Sequence, residues 1–193
     1  MQEFKSFSKR LETLTFDQFD DVALELAHFQ AQHNPVYAAY LAARKISSSS
    51  IKKVGDIPFL PIRFFKDTDV FSGPLSQVDL VYSSSGTTGV ITSKHHLWSE
   101  AFYLDHAQRL FEAQYGSLTD YHVLALLPAY LERPGSSLVS MASHFMDESQ
   151  SSHSGFYLYN QEELLGKLTL LLEQGRKVLL LGVTFALLDL VES

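Results

Sequence analysis

The chain has 193 residues, of which 46% are hydrophobic and 12% aromatic, so it is long enough for one good core and does not have a disordered composition. A formal net charge of -7, without any long run of Lys or Arg, argues against a nucleic-acid surface. Cysteine is absent, which excludes disulfides, thiolate metal sites and a Cys nucleophile within these residues. Residues 1–10 lack a signal-peptide core and no apolar run is long enough for a membrane span, so a cytoplasmic protein is expected.

Residues 1–50 are predicted to form an N-terminal helical segment. Thr15 followed by Gln18 matches a capping box, and apolar residues recur at helical spacing after it. Asn34-Pro35 predicts the start of a second helix, because Pro is favoured at the first helical position. Both helices are interpreted as structural, and a serine-rich connector leads from them into the second domain, residues 51–193.

The first part of that second domain is apolar and irregular. Prolines within residues 57–66 predict extended rather than helical backbone. A short strand is predicted at 70–72, ahead of a Gly73-Pro74 turn. The apolar run 78–81 predicts another strand, which leads into the central motif.

The central motif is the run of Ser, Thr and Gly at 83–89, which lies between that strand and a helix predicted from about His95 to Tyr115. Strand, Ser/Thr/Gly loop and helix together present backbone N–H groups and hydroxyls to a bound phosphate. Glycine lets the backbone approach the anion closely. A surface turn without a ligand is the alternative, but paired threonines between glycines and the apolar lead-in favour phosphate binding.

Other loops with similar composition do not fit the motif. A Walker A loop has four residues between its glycines and then Lys-Ser/Thr, whereas only Thr87 and Thr88 separate Gly86 from Gly89. The G-x-G-x-x-G fingerprint of dinucleotide-binding domains is absent. A serine-hydrolase elbow needs G-x-S-x-G, and the first glycine is missing before Ser85.

The second half of the chain alternates apolar strands with helices. Strands are predicted at 123–127, 156–159 and 178–181, with helices between them and a last helix from about Thr184. A continuous apolar run such as 123–127 is typical of a strand that is buried on both faces. The sequence therefore predicts an α/β fold, with a mixed or mostly parallel sheet flanked by helices.

Two further groups of polar residues are possible sites. His95 and His96 are adjacent on the predicted helix and point in different directions, so no metal site is predicted there. Glu132 and Arg133 follow the strand 123–127, at the sheet edge where open α/β folds bind ligands. They are site candidates by position, and a surface ion pair is equally consistent with them.

The motif Ser84-Ser85-Gly86-Thr87-Thr88-Gly89 resembles the phosphate-binding signature of the adenylate-forming, acyl-CoA synthetase-like superfamily. Other segments are similar to the N-terminal half of acyl-protein synthetases of the bacterial bioluminescence fatty-acid reductase type. These segments are Pro58-Phe59-Leu60-Pro61, Phe65-Lys66, Leu127-Pro128, Tyr130-Leu131-Glu132-Arg133, Ser137-Leu138-Val139 with Met141, and Leu180-Leu181-Gly182-Val183 with Phe185.

The resemblance implies the N-terminal part of the large domain of an adenylate-forming ligase. Such enzymes use ATP and Mg²⁺ to convert a carboxylic acid, for example a fatty acid, to an acyl-adenylate, and then pass the acyl group to a thiol of CoA or of a protein. The residues expected to hold the ATP phosphates are Ser84, Ser85, Gly86, Thr87, Thr88 and Gly89, with Lys94 as a further candidate. No catalytic residue is assigned.

The chain also departs from that family. Many members have Pro-Lys soon after the last glycine, whereas residues 90–93 separate the motif from Lys94. The family's Tyr-Gly-x-Thr-Glu segment, ribose-binding Asp and C-terminal catalytic Lys do not occur, and the last helix runs to Ser193 without a stop signal. The chain is therefore expected to be cut short and inactive in adenylation by itself. The alternative is a non-catalytic α/β remnant or interaction module.

Overall fold

A computed structural model describes residues 2–84, 92–127, 135–158 and 160–192. The chain divides into two compact units, Met1–Gln77 with Ser93–His96, and Val78–Thr92 with Leu97–Ser193. The described helices are α1 (Gln2–Glu12), α2 (Phe19–His33), α3 (Pro35–Ala43), α4 (Phe64–Asp67), α5 (Glu100–Tyr115), α6 (Ser137–Ser149), α7 (Gln161–Leu172) and α8 (Thr184–Glu192). The described strands are β1 (Leu80–Ser83), β2 (Lys94–Leu97), β3 (Tyr121–Leu126), β4 (Gly155–Tyr157) and β5 (Lys177–Gly182).

The first unit is mainly helical. α2 and α3 begin near their predicted positions, whereas α1 was not predicted and α4 begins within residues 57–66, for which extended backbone was predicted. Thr15 and Gln18 form the expected capping box ahead of α2. Asn34 caps α3 by accepting hydrogen bonds from the backbone N–H groups of Val36 (3.1 Å) and Tyr37 (3.2 Å). The buried apolar residues of this unit are Val22, Ala27, Tyr37, Leu41, Ile51 and Phe71.

The strand predicted at 70–72 is wrong, because these residues form no strand. Phe71 is nevertheless only 8% exposed. Its side chain is buried, as the apolar pattern indicates, but the backbone around it is irregular. The apolar pattern at 70–72 therefore reflects the burial of Phe71 and not a strand.

The second unit is built on a parallel sheet with the strand order β4-β3-β5. β3 pairs with both neighbours, and Leu124 lies opposite Gly155 on one side and Leu180 on the other. Every residue of β3 is buried, as expected for a central strand with helices on both faces. The predicted α/β class with a parallel sheet flanked by helices is confirmed.

The side chains of β3 alternate between two apolar layers. Tyr121 and Val123 pack with Phe145 of α6 and with partly buried residues of α5. Leu124 and Leu126 face the opposite layer, whose buried members include residues of α7 and α8. Alternation along a strand sends successive side chains to opposite faces, so the sheet is covered by helices on each side.

The helix predicted from about His95 begins later, at Glu100. His95 and His96 belong to β2 instead. The side chain of Ser99 accepts a hydrogen bond from the N–H of Phe102 (3.1 Å) and so caps α5. The apolar spacing of Leu97 and Trp98 continues the pattern of α5, which explains why the sequence placed the start too early. None of the α5 residues is fully buried.

The last helix, α8, begins at Thr184 as predicted. Ser136 caps α6, whose first residue is Ser137. Asn160 precedes α7, and its side chain donates to Glu163 Oε2 rather than capping the backbone. Within the described ranges, no helix is both long and apolar enough to cross a membrane.

Candidate phosphate-binding site

The Ser/Thr/Gly motif begins directly after β1. The strand ends at Ser83, and Ser84 is exposed. The remaining predicted phosphate-binding residues of the motif, Ser85, Gly86, Thr87, Thr88 and Gly89, lie outside the described residues. Their contact with phosphate therefore stays a prediction, and the described geometry is that of the base of the motif, Leu80–Ser84.

A backbone hydrogen bond joins this base to a second candidate segment. The N–H of Ser83 donates to the carbonyl oxygen of Gly135 at 2.9 Å. Glu132 and Arg133, the candidates predicted by position, precede Gly135 and lie outside the described residues. The hydrogen bond thus connects the start of the motif with the end of the segment that follows β3.

Gly135 is suited to this contact by its backbone conformation. Its φ is +84°, whereas a Cβ atom at this position would make only ordinary van der Waals contacts, 3.5 Å from the carbonyl oxygen of Val81 and 3.8 Å from the N of Ser83. A positive φ is accessible to glycine at no steric cost. The sequence pattern alone showed Gly135 only as part of a turn.

The side chain of Tyr82 also holds the base of the motif in place. It is buried at 3% exposure, and its hydroxyl donates to Glu100 Oε1 at 2.8 Å. Burial, and then the Glu100 carboxylate, raise the pKa of the Tyr82 hydroxyl to about 12, although Ser140 of α6 acts on that pKa in the opposite direction.

Glu100 is itself held in place by Asp79. The N–H of Glu100 donates to Asp79 Oδ2 at 2.9 Å, and the N–H of Asp79 donates to the carbonyl oxygen of Leu97 at 2.8 Å. Glu100 is the first residue of α5, where a negative charge is stabilised by the helix dipole. A chain of hydrogen bonds therefore runs from Asp79 through Glu100 to Tyr82.

The beginning of α6 lies at the same place. Tyr103 of α5 packs against Tyr82 with ring centroids 5.4 Å apart, and its hydroxyl donates to the carbonyl oxygen of Ser137 at 3.3 Å. Because Ser137 belongs to α6, Tyr82 is connected directly to α5 and, through Tyr103, to the first residue of α6.

Sequence reasoning missed this set of anchoring residues. Tyr82 stands as a polar aromatic residue at the end of an apolar run, and Glu100 directly follows the Ser99 cap. These were the available signals. They do not identify which residues are partners, because the Tyr82–Glu100 contact joins positions 18 apart in the chain.

Lys94, the remaining predicted phosphate-binding residue, belongs to the first unit. Its Nζ lies 4.0 Å from Asp69 Oδ1, and His96 Nε2 lies 3.4 Å from the same oxygen. The Lys94 side chain is 57% exposed, and exposed ion pairs contribute little to stability. The contact with Asp69 therefore does not prevent Lys94 from binding another anion, and its predicted role stays a prediction.

Metal ligands are not clustered in the described part of the chain. No group of three or more His, Cys, Asp or Glu side chains there is arranged to hold a metal ion. His95 stacks on Phe65 with centroids 4.9 Å apart, and His106 Nδ1 lies 3.2 Å from an Nη of Arg109. Burial and then the Arg109 charge lower the pKa of His106.

No protein-family model matches the chain, and no curated protein sequence matches it. A function for this chain has therefore to be inferred from its own residues, foremost from the motif at 84–89 and the contacts that hold its base.

Proposed function

We propose that the chain binds the phosphates of ATP through Ser84–Gly89 and forms the phosphate-binding part of an ATP-dependent, carboxylate-activating ligase. The enzyme type is that of acyl-protein synthetases or acyl-CoA synthetase-like proteins, which form an acyl-adenylate. The substrate acid, for example a fatty acid, and the acceptor thiol of CoA or of a protein are proposed from the resemblance of the motif.

The observation that carries the proposal is the anchored base of the motif. The strand that precedes Ser84 is held by Gly135 at its backbone and by Glu100 at the Tyr82 side chain. Donors that stabilise a phosphate are most effective when they are fixed before the ligand arrives, because no free energy is then spent on ordering them. A linker without a ligand has no need of such a base.

In the proposed reaction, the motif would offset negative charge on the phosphates of ATP. A carboxylate has to approach the α-phosphate of ATP, and the repulsion between these anions opposes the reaction. Backbone N–H groups and hydroxyls of Ser84–Gly89 around the β- and γ-phosphates would offset part of that charge and stabilise pyrophosphate as it forms. Mg²⁺ neutralises phosphate charge when it is bound.

The charges near the base agree with a requirement for Mg²⁺. Asp79 and Glu100 bring carboxylates to the residues that precede the motif, and the chain has a net charge of -7. Mg²⁺ in nucleotide sites takes many of its ligands from phosphates and water. Since the described residues offer no cluster of metal ligands, we propose that the ion binds together with ATP.

The test is a calorimetric titration of the chain with ATP and Mg²⁺, using Gly86→Val and a matched control. A Cβ at Gly86 would block close approach of the anion, so we expect Gly86→Val to remove binding while circular dichroism shows a folded protein. The control is Gly55→Val, since no atom lies within 4 Å of a Cβ built at Gly55, and wild-type affinity is expected.

Thr87→Ala supplies a graded variant in the same experiment. It removes one hydroxyl and leaves the backbone donors in place, so we expect affinity to fall by about ten- to a hundredfold, the range for one hydrogen bond to a charged group. Absence of ATP binding by the wild type, or wild-type affinity in a folded Gly86→Val variant, contradicts the proposed function.

A further inference from the structure

Tyr82 directly precedes the Ser/Thr/Gly motif and can influence how the start of the motif is positioned. It is the last residue but one of β1, and only Ser83 separates it from Ser84. Its side chain is 3% exposed, yet it carries a hydroxyl that needs a partner once it is buried. The partners that it finds determine how the end of β1 is held.

The Tyr82 hydroxyl is held by α5, because it donates to Glu100 Oε1 of that helix at 2.8 Å. Glu100 is fixed in turn by its backbone N–H, which donates to Asp79 Oδ2. A hydrogen bond to a carboxylate is stronger than one between neutral groups, so the Glu100 contact is expected to be the main restraint on the ring.

The direction of this hydrogen bond does not change over the physiological pH range. Burial and the Glu100 carboxylate raise the pKa of the Tyr82 hydroxyl to about 12. The phenol therefore keeps its proton and remains a donor, and Glu100 remains its acceptor. A hydroxyl that keeps its proton can act as a structural restraint, but it does not transfer a proton.

We propose that Tyr82 is a positioning residue for ATP binding, and that its hydrogen bond to Glu100 fixes the strand end from which the motif at 84–89 departs. The inference rests on the proposed function, because it assigns Tyr82 a role in that same site. Small displacements of a binding group are costly when several donors have to meet one anion. Loss of the hydroxyl is therefore expected to weaken nucleotide binding in a protein that still folds.

A purely structural hydrogen bond would affect stability alone, and Tyr121 provides the matched control. Tyr121 is 9% exposed, and its hydroxyl donates to the carbonyl oxygen of Tyr115 at 2.8 Å. It belongs to the same unit but stands at the first residue of β3. Tyr121→Phe therefore deletes a buried phenol hydrogen bond of the same length that does not involve β1.

The experiment measures the dissociation constant for ATP with Mg²⁺ and the thermal midpoint of the wild type, Tyr82→Phe and Tyr121→Phe. We expect both substitutions to lower the midpoint, since each removes one hydrogen bond of a buried tyrosine. Affinity is expected to fall about tenfold in Tyr82→Phe, because the donors of the motif are then less well placed before ATP binds, and by less than about twofold in Tyr121→Phe.

Each outcome decides a different claim. Wild-type affinity in a folded Tyr82→Phe variant overturns the positioning role and leaves the proposed function standing. Equal losses of affinity in both variants also overturn it, since the effect is then one of general stability. A wild type that does not bind ATP overturns the proposed function and this inference together.

Glu100→Gln keeps the test decisive if Tyr82→Phe does not fold. The amide oxygen of Gln still accepts from the phenol, but the substitution removes the charge that strengthens the hydrogen bond. We expect a smaller loss of affinity, about threefold, with little change in the thermal midpoint. Unchanged affinity in this variant contradicts the positioning role.

Discussion

Gly135 has a backbone conformation that a residue with a side chain adopts only at a cost. Its φ is +84°, and an added Cβ would meet the carbonyl oxygen of Val81 at 3.5 Å. We expect Gly135→Ala to lower the free energy of unfolding by about 1–2 kcal/mol, mainly through the left-handed backbone. Urea denaturation measures this change.

The control for this substitution is Gly155→Ala in the same unit. Gly155 does not have a positive φ, and a Cβ added there would have no atom within 4 Å. We expect its free energy of unfolding to change by less than about 0.5 kcal/mol. Equal stability of the Gly135→Ala and wild-type proteins would show that the backbone at 135 relaxes freely, and the hydrogen bond to Ser83 would then be a weak anchor.

The motif can be recognised as a sequence pattern, whereas the residues that hold its base, Tyr82, Glu100 and Gly135, cannot. Ser84–Gly89 form a local pattern whose composition predicts phosphate binding, and this stays a prediction. Tyr82 and Glu100 are paired through space, and Gly135 meets Ser83 from a distant part of the chain. Such partners depend on how strands and helices pack, which a single sequence does not specify.

Among the elements, β3 was the most predictable, and its amino-terminal end holds an unexpected polar cluster. His122 is 3% exposed and its Nδ1 lies 2.6 Å from Ser151 Oγ. His122 Nε2 has no hydrogen-bond partner among the described residues. The ring of His153 packs edge-on against His122 with centroids 5.3 Å apart. An Nη of Arg176 donates to the carbonyl oxygen of Ser149 at 2.7 Å.

This cluster predicts a stability that falls as the solution becomes acidic. Burial first, then the charges of Arg176 and His153, lower the pKa of His122 from its usual 6.5. As the pH falls through 6.5, the unfolded chain binds a proton before the folded chain does, so the unfolded state is favoured. The contribution of His122 is therefore complete above pH 6.5 and is lost as the pH falls toward the lowered pKa.

Urea denaturation between about pH 5.5 and 7.5 checks this prediction. We expect the free energy of unfolding to decrease with decreasing pH, and the slope to become smaller in His122→Asn. His106, whose pKa is also lowered, contributes a slope of the same sign, so His106→Asn serves as the comparison. A wild-type stability that is constant or rises as the pH falls would contradict the burial of a neutral His122.

The other elements show where periodicity was a good guide and where it was not. The continuous apolar run of β3 and the start of α3 at Asn34-Pro35 were predicted correctly, since each depends on local chemistry. The start of α5 was placed too early because apolar spacing extends back into β2. Strand and helix patterns overlap in such short apolar stretches, and only the partner strands decide between them.

For the whole molecule, the parallel sheet was predictable and the complete ligand site was not. Alternation of apolar strands with helices is sufficient to indicate an α/β fold, and the order β4-β3-β5 agrees with it. Ser84 belongs to the second unit and Lys94 to the first. The sequence could nominate both for one phosphate site, but their common action depends on tertiary geometry that no local pattern encodes.

Phosphate binding by Ser84–Gly89 is tested most directly by following the backbone amide resonances of the ¹⁵N-labelled chain while ATP and Mg²⁺ are added. Adenosine, which lacks phosphates, is the control. We predict that the largest shifts occur at the amides of Ser84–Gly89 and extend to Ser83, whose N–H donates to Gly135, and that adenosine leaves the motif unchanged. The account is contradicted if saturating ATP leaves the amides of 84–89 unchanged, or if the main shifts lie elsewhere, for example around His122 and Arg176.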